Sequence, residues 1–270
     1  MTNTRREGFA LILGASSGFG EAIALRLAEA GMHIVGVHLD RRSTMPQVAK
    51  VIEGIEAHGR EAWFYNVNAA DEGKRRTVLD DVAARLAARG QGESVTVLVH
   101  SLAFGTLRRM VPTEAAPDDA LTKMQLDMTS DVMAHSLVYW VQDMLRRGML
   151  RDGGRVLAMT SSGSWAALPQ YGAVSAAKAA LEAHVRQLAV EGAARGFTAN
   201  ALCAGVTLTP ALEKIPGYET LMARAQAKHP HARLTRPDDV ARAVVALTGP
   251  DTYWLTGNVL NVDGGEAAAG

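Results

Sequence analysis

Short apolar runs recur along the chain, each closed by glycine or a polar residue: 9–14, 33–37, 62–67, 95–100, 155–160, 198–203 and 258–262. Continuous apolar runs of this length suit parallel strands buried on both faces. Between them the period changes. Val48, Val51, Ile52 and Ile55 stand at i, i+3, i+4 and i+7, which is one face of a helix. Val78, Val82 and Leu86 repeat the spacing, as do Ile23 and Leu27, and Pro237 followed by Asp238 and Asp239 marks a further helix start. Strand, helix, strand from end to end predicts an α/β fold: one doubly wound domain over residues 1–270, with about seven parallel strands and helices on both faces. Only 206–234 breaks the rhythm, with Ala, Leu and Met between prolines. It is expected to be either a helical flap over a site or a plain surface helix pair.

Composition narrows the function classes. The 270 residues are 48% hydrophobic, enough for a substantial core. The formal net charge of zero lacks the basic footprint of a nucleic-acid binder. The single cysteine, Cys203, excludes an internal disulfide and fits a reducing compartment. The apolar run after Arg5 and Arg6 is cut by Gly14, Ser16 and Ser17, too short for a membrane span or a signal segment. A cytoplasmic protein with no nucleic-acid or membrane partner is therefore expected. His38, His100 and His135 form no ligand spacing with each other or with Cys203, so no metal is expected.

The chemistry begins at "GASSGFG", which puts Gly14, Gly18 and Gly20 directly after the first strand and at the start of a helix. Small residues there let the backbone approach a pyrophosphate, and the helix N-terminus offers free N–H groups and a positive dipole. This is a Rossmann-type turn for a dinucleotide. At the end of the second strand the slot for a ribose-binding carboxylate holds His38, with Asp40, Arg41 and Arg42 just beyond. Arg41 is suited to a 2′-phosphate, so NADPH is favoured and NADH remains possible.

With Gly14-x-x-x-Gly18-x-Gly20, the Ser161 and Lys178 pair, "NALCAG" and the closing "VDGG", the chain resembles the short-chain dehydrogenase/reductase family over its whole length. Within that family it is similar to the bacterial enoyl-[acyl carrier protein] reductases, and in particular to their enoyl reductase III branch. Four features carry this. "HSLAFG" (100–105) stands where ketoreductases have Asn-Asn-Ala-Gly. Asp127 stands in the slot of the ketoreductase relay Asn, and Ala204 where Pro-Gly is usual. In "YGAVSAAK", Tyr171 precedes Lys178 by seven residues and Val174 fills the usual tyrosine position.

The resemblance implies a catalytic set of Tyr171, Lys178 and Ser161. It implies cofactor contacts from Gly14, Ser17, Phe19 and Gly20 at the pyrophosphate, and from Asn66 and Val67 at the adenine. Ser101 to Ala103 and Lys178 would face the ribose, and Thr207 and Thr209 the carboxamide and phosphates. It also implies a homotetramer and an acyl thioester substrate, carried on coenzyme A or on acyl carrier protein. Arg108, Arg109, Arg146, Arg147 and Arg151 are candidates for a carrier-docking face.

Both tyrosine spacings keep Tyr and Lys on one helix face, since four residues advance about 400° and seven about 700°. Seven residues place the tyrosine about 4.5 Å further along the axis. In enoyl thioester reduction the hydride goes to Cβ and charge develops on the carbonyl oxygen two carbons away, so a donor set further out suits it. The reading is NADPH-dependent reduction of a 2,3-double bond in an enoyl thioester. The alternatives are a carbonyl or ene reductase on another small substrate, or a catalytically silent NADPH-binding regulator.

Overall fold

The computed structural model describes residues 8–90, 93–150 and 152–269. Arg5, Arg6 and Arg151 lie outside the described residues. Each apolar run forms a strand: β1 (Phe9–Leu13), β2 (His33–His38), β3 (Ala62–Asn66), β4 (Val95–His100), β5 (Gly154–Ser161), β6 (Phe197–Ala204) and β7 (Val259–Val262). All seven pair in parallel, in the order β3-β2-β1-β4-β5-β6-β7. The helices between them are α1 (Gly18–Glu29), α2 (Met45–Glu56), α3 (Glu72–Arg89), α4 (Lys123–Ser130), α5 (Ser136–Arg146), α6 (Gly172–Gly192), α7 (Tyr218–Lys228) and α8 (Pro237–Leu247). A single π-turn, Asp131–His135, joins α4 to α5.

Alternation along the buried strands divides the interior into two cores. Phe9, Leu11 and Leu13 of β1 pack with Val78 and Val82 of α3, Trp140 of α5, and Ala177 and Leu181 of α6. Ala10 and Ile12 face the other way, onto Ile23 and Leu27 of α1, Val51 of α2 and Val240 of α8. Of the helical positions read from spacing, Val48, Val51 and Ile55 on α2 and Val78, Val82 and Leu86 on α3 are buried, while Ile52 is only partly so. The strand order reverses direction between β1 and β4, which opens a crevice at the carboxyl ends of those strands. Every sequence-assigned site residue from Gly14 to Thr209 follows or ends a strand at that edge, or lies on the elements leading from it.

In the stretch 206–234 the structure has a short turn, Leu212–Lys214, and α7. No helix among the described residues is long and apolar enough to cross a membrane.

Candidate active site

The glycine turn is built for close approach. Gly14 has φ +87°, and a Cβ there would lie 2.4 Å from the Ser101 carbonyl oxygen. A Cβ on Gly20 would lie 1.9 Å from the Gly14 carbonyl, so only glycine lets α1 start against β1. Ser17 is the N-cap of α1 and makes no side-chain cap bond, which leaves the first-turn N–H groups facing out of the helix end. Thr209 lies against Gly18, within 3.6 Å of where a Cβ would stand, and its hydroxyl accepts the Leu212 N–H at 3.2 Å. A cradle that Cβ atoms would fill, at an open helix N-terminus, fits a dinucleotide pyrophosphate. Phe19 packs partly into the second core, Val67 is bonded by its N–H to the His38 carbonyl at 2.8 Å, and Ala103 is exposed. The buried Thr207 hydroxyl donates to the Gly205 carbonyl at 2.9 Å.

At the end of β2, Asp40 is more engaged than its place in the sequence suggests. Burial opposes its charge, but hydrogen bonds from Ser16, Thr44 and His38 outweigh this and hold its carboxyl below the usual range. His38 Nδ1 is 2.9 Å from Asp40 Oδ2. Arg41 and Arg42 are both exposed. Asn66 is tied into this loop. Its amide accepts the Asp40 N–H at 2.9 Å and donates to the Asp40 carbonyl at 3.0 Å, so it braces the loop after β2 instead of standing free for an adenine.

The proposed acid and lysine share α6. Tyr171 is the N-cap, and its carbonyl accepts the Ser175 N–H at 2.8 Å, so it stands in helical register with Lys178 two turns on. Its ring rests on Gly163, where a Cβ would come within 2.5 Å of Cε1 and within 3.2 Å of the Ser161 hydroxyl oxygen. Gly163 thus brings Ser161 and Tyr171 together. The Ser161 oxygen is buried and makes no hydrogen bond of good geometry among the described residues, as is also true of Ser164. Burial raises the pKa of the Tyr171 phenol, partly offset by Ser161, so the phenol is a donor at neutral pH. Gln170, immediately before it, has φ +61°, an uncommon conformation for a residue with a side chain.

Lys178 is 5% exposed. Its ammonium donates to the Met159 carbonyl at 2.7 Å and the Leu102 carbonyl at 3.4 Å, at the ends of β5 and β4. Burial lowers its pKa to about 8, and Glu182, one turn further along α6, opposes that. Glu182 in turn accepts the Thr160 hydroxyl at 2.6 Å. The position between Tyr171 and Lys178 is closed: Val174 is 4% exposed and belongs to the first core. Gly105 approaches it so closely that a Cβ there would lie 2.8 Å from Val174 Cγ2.

Two further groups are engaged within the protein. Asp127 is exposed and pairs with Lys123, so it is part of the solvated face of α4 and not of the site. Arg146 and Arg147 are engaged by Asp143 and Asp80, each at 2.7 Å, and Arg108 stands 3.8 Å from Asp119. Intramolecular acids therefore neutralise much of the suggested docking face. Sequence reasoning missed Gln170 and Glu182, and Gly105 and Gly163 as packing glycines. The two glycines carried a signal, since each follows a strand end; the other two carried none.

A family model described as Enoyl-(Acyl carrier protein) reductase matches residues 14–266. The chain belongs to the short-chain dehydrogenase/reductases, in their enoyl reductase-like group. It is 30% identical over 264 residues to an NADPH-dependent aldehyde reductase-like protein, chloroplastic, of Arabidopsis thaliana, covering 95% of this chain and 93% of the relative. It is 27% identical over 266 residues to 1-cyclohexenylcarbonyl-CoA reductase of Streptomyces collinus, covering 96% and 87%. Among solved structures it resembles a short-chain dehydrogenase of Burkholderia cenocepacia in complex with NADP, with TM-score 0.79 and 27% identity over 96% of this chain and 98% of that one. The protein is thus a nicotinamide-dependent oxidoreductase, and the Gly14–Gly20 turn has the form such a cofactor needs.

Proposed function

We propose that this reductase acts on the 2,3-double bond of an enoyl thioester with NADPH. The observation that carries the reading is Tyr171 set two turns before Lys178 on α6, while Val174 and Gly105 close the intermediate position. A donor so placed suits charge that develops two carbons from the site of hydride attack. The nicotinamide supplies the hydride. Tyr171 donates a hydrogen bond to the thioester oxygen as the enolate forms, Ser161 steadies the phenol or the same oxygen, and a proton from Tyr171 or from water then goes to Cα to complete the reduction. Lys178 binds ribose hydroxyls and keeps positive charge near the oxyanion. The turn from Gly14 to Gly20, with Ser17, Phe19 and Thr209, holds the pyrophosphate, while Arg41 faces a 2′-phosphate. Val67, Ser101, Ala103 and Thr207 complete the cofactor bed, and Asn66 contributes by bracing Asp40.

An apolar substrate is supported by the large hydrophobic side chains left exposed on the loops that follow the strand ends: Phe104, Met110 and Val111 after β4, Trp165 after β5 and Leu208 after β6. Met110 packs over Gly172, next to Tyr171. Water-exposed apolar groups gathered round a polar centre are what an acyl chain would cover. Thr209 against Gly18 supports 206–234 as a flap that closes on cofactor and acyl chain together, within one domain. A cytoplasmic homotetramer packed through its long helices completes the picture.

The aldehyde reductase-like relative motivates a second reading, carbonyl reduction. The two separate in one assay that follows NADPH oxidation with a crotonyl thioester, a β-ketoacyl thioester and an aldehyde. The enoyl substrate is expected to give kcat/KM at least about 100-fold above either carbonyl compound; a reversed order overturns the proposal.

A further inference from the structure

The turn that follows β7 holds both ends of the segment 206–234. Asp263 is buried there, and its carboxylate accepts the Gly265 N–H at 2.9 Å and the Ala267 N–H at 3.0 Å. Its carbonyl accepts the Glu266 N–H at 3.1 Å, which closes the turn. From this turn Glu266 reaches back 60 residues, where its Oε2 accepts the Val206 N–H at 2.9 Å. Gly205 makes room for that contact: a Cβ there would lie 2.7 Å from the same Glu266 oxygen and 2.5 Å from the Thr235 hydroxyl oxygen. At the far end of the segment, the buried His229 donates from Nε2 to the Asp263 carbonyl at 2.9 Å, while its Nδ1 accepts the His231 N–H at 3.1 Å. Gly264 has φ +61°, and a Cβ on it would lie 2.7 Å from His229 Cε1, so the turn meets the ring only as glycine.

Between these two ties lie Thr207 and Thr209, with Thr207 next to the bonded Val206 and Thr209 against Gly18 of the glycine turn. The helix that follows them, α7, buries only Ala225, so its packing does little to fix the segment and the ties at either end matter the more. We propose that Glu266 is a positioning residue for the cofactor bed: it fixes the backbone at Val206 so that Thr207 and Thr209 already stand at the glycine turn, while the bond between Asp263 and His229 holds the other end of the segment. A carboxylate that accepts a backbone N–H makes a charge-assisted bond, stronger than a neutral one. A strand-to-helix connection ordered in advance need not be ordered when NADPH binds, and affinity gains by that difference.

The role of Glu266 rests on the place given above to Thr207 and Thr209, but its first test needs no cofactor. Hydrogen exchange of the Val206 amide is followed by NMR in cofactor-free wild type, Glu266→Gln and Glu266→Ala, and NADPH affinity is measured on the same proteins. Gln keeps an acceptor for the N–H; Ala does not. In the Ala variant the amide is expected to exchange at least about tenfold faster and NADPH to bind about tenfold more weakly, whereas Gln stays within about threefold of wild type in both. No change in Ala, equal losses in Ala and Gln, or faster exchange with NADPH binding unaltered would overturn the proposal. Thr209→Ala checks the cofactor bed itself: weaker NADPH binding with Val206 exchange unaltered is expected. Unaltered NADPH binding in that variant would fault the bed and take the role of Glu266 with it. If the Glu266 variants do not fold, the wild type decides: a Val206 amide protected by about 100-fold or more supports the proposal, and exchange at the rate of an open chain defeats it.

Discussion

Two buried cations, Arg155 on β5 and Lys178 on α6, sit at opposite ends of β5, and they are held in different ways. At the amino end, Arg155 is 4% exposed and meets only carbonyls: Leu247 at 3.3 Å, Gly249 at 2.9 Å, Gly154 at 3.4 Å, and Gly153. Its guanidinium lies 4.8 Å from the ring centre of Tyr253. The fork closes the C-terminus of α8, where the helix dipole favours a cation, and it remains charged because arginine does not lose its proton. At the carboxyl end, Lys178 has one good carbonyl and one distant one, and burial brings its pKa to about 8. The first cation is scaffold, with its donors taken up by the fold. The second is under-bonded and titratable, which suits a group that must turn toward a cofactor. Burial of charge alone does not tell the two apart; the number of donors taken up by the fold does.

The comparison is open to attack in order of expected effect. Lys178→Met should cut reductase turnover by about 100- to 1000-fold in an NADPH oxidation assay, whereas Arg155→Met should leave turnover per folded molecule within about twofold. Comparable losses in both would erase the distinction. In thermal or urea unfolding the order should reverse at neutral pH, with Arg155→Met losing about 3 kcal/mol through its orphaned carbonyls.

The pH dependence sharpens the case for Lys178. The unfolded chain keeps that proton up to about pH 10.5, while the folded chain releases it near 8. Wild-type stability relative to Lys178→Met should therefore rise as pH climbs from 8 to about 10.5, by on the order of 3 kcal/mol, and be lost as pH falls through 8. Urea unfolding at pH 7.5 and 10 reads the difference directly; no change in the gap would mean that Lys178 is not buried as a charge. The smallest effect is expected from Tyr253→Leu, about 1 kcal/mol from the lost cation–π contact, with turnover unaltered.

Much of this was legible from the amino-acid order, for definable reasons. The central strands are buried on both faces and leave uninterrupted apolar runs, and the partly buried edge strands β3 and β7 still keep enough apolar residues for seven strands to be counted. The glycine turn is readable because no other residue fits where a Cβ would lie 1.9 Å from a backbone oxygen. Tyr171 and Lys178 share a face by helix geometry alone. Contacts made by folding left no such trace. Asp127 has the spacing of a site residue, yet its side chain turns to Lys123 in solvent. Asn66 aligns with an adenine contact but spends both ends of its amide on Asp40. The acceptor of the Val206 N–H is a carboxylate that belongs to the turn after β7. Spacing tells which face a residue is on; it does not tell what that residue meets there.

The central claim is that the donor of this site stands at position 171 and not at 174. The most direct measurement is single-turnover reduction of a crotonyl thioester by wild type and Tyr171→Phe, with NADPH affinity measured alongside. The account predicts a rate at least about 100-fold lower in the Phe variant, with NADPH binding within about twofold of wild type. An unchanged rate in that variant would contradict it.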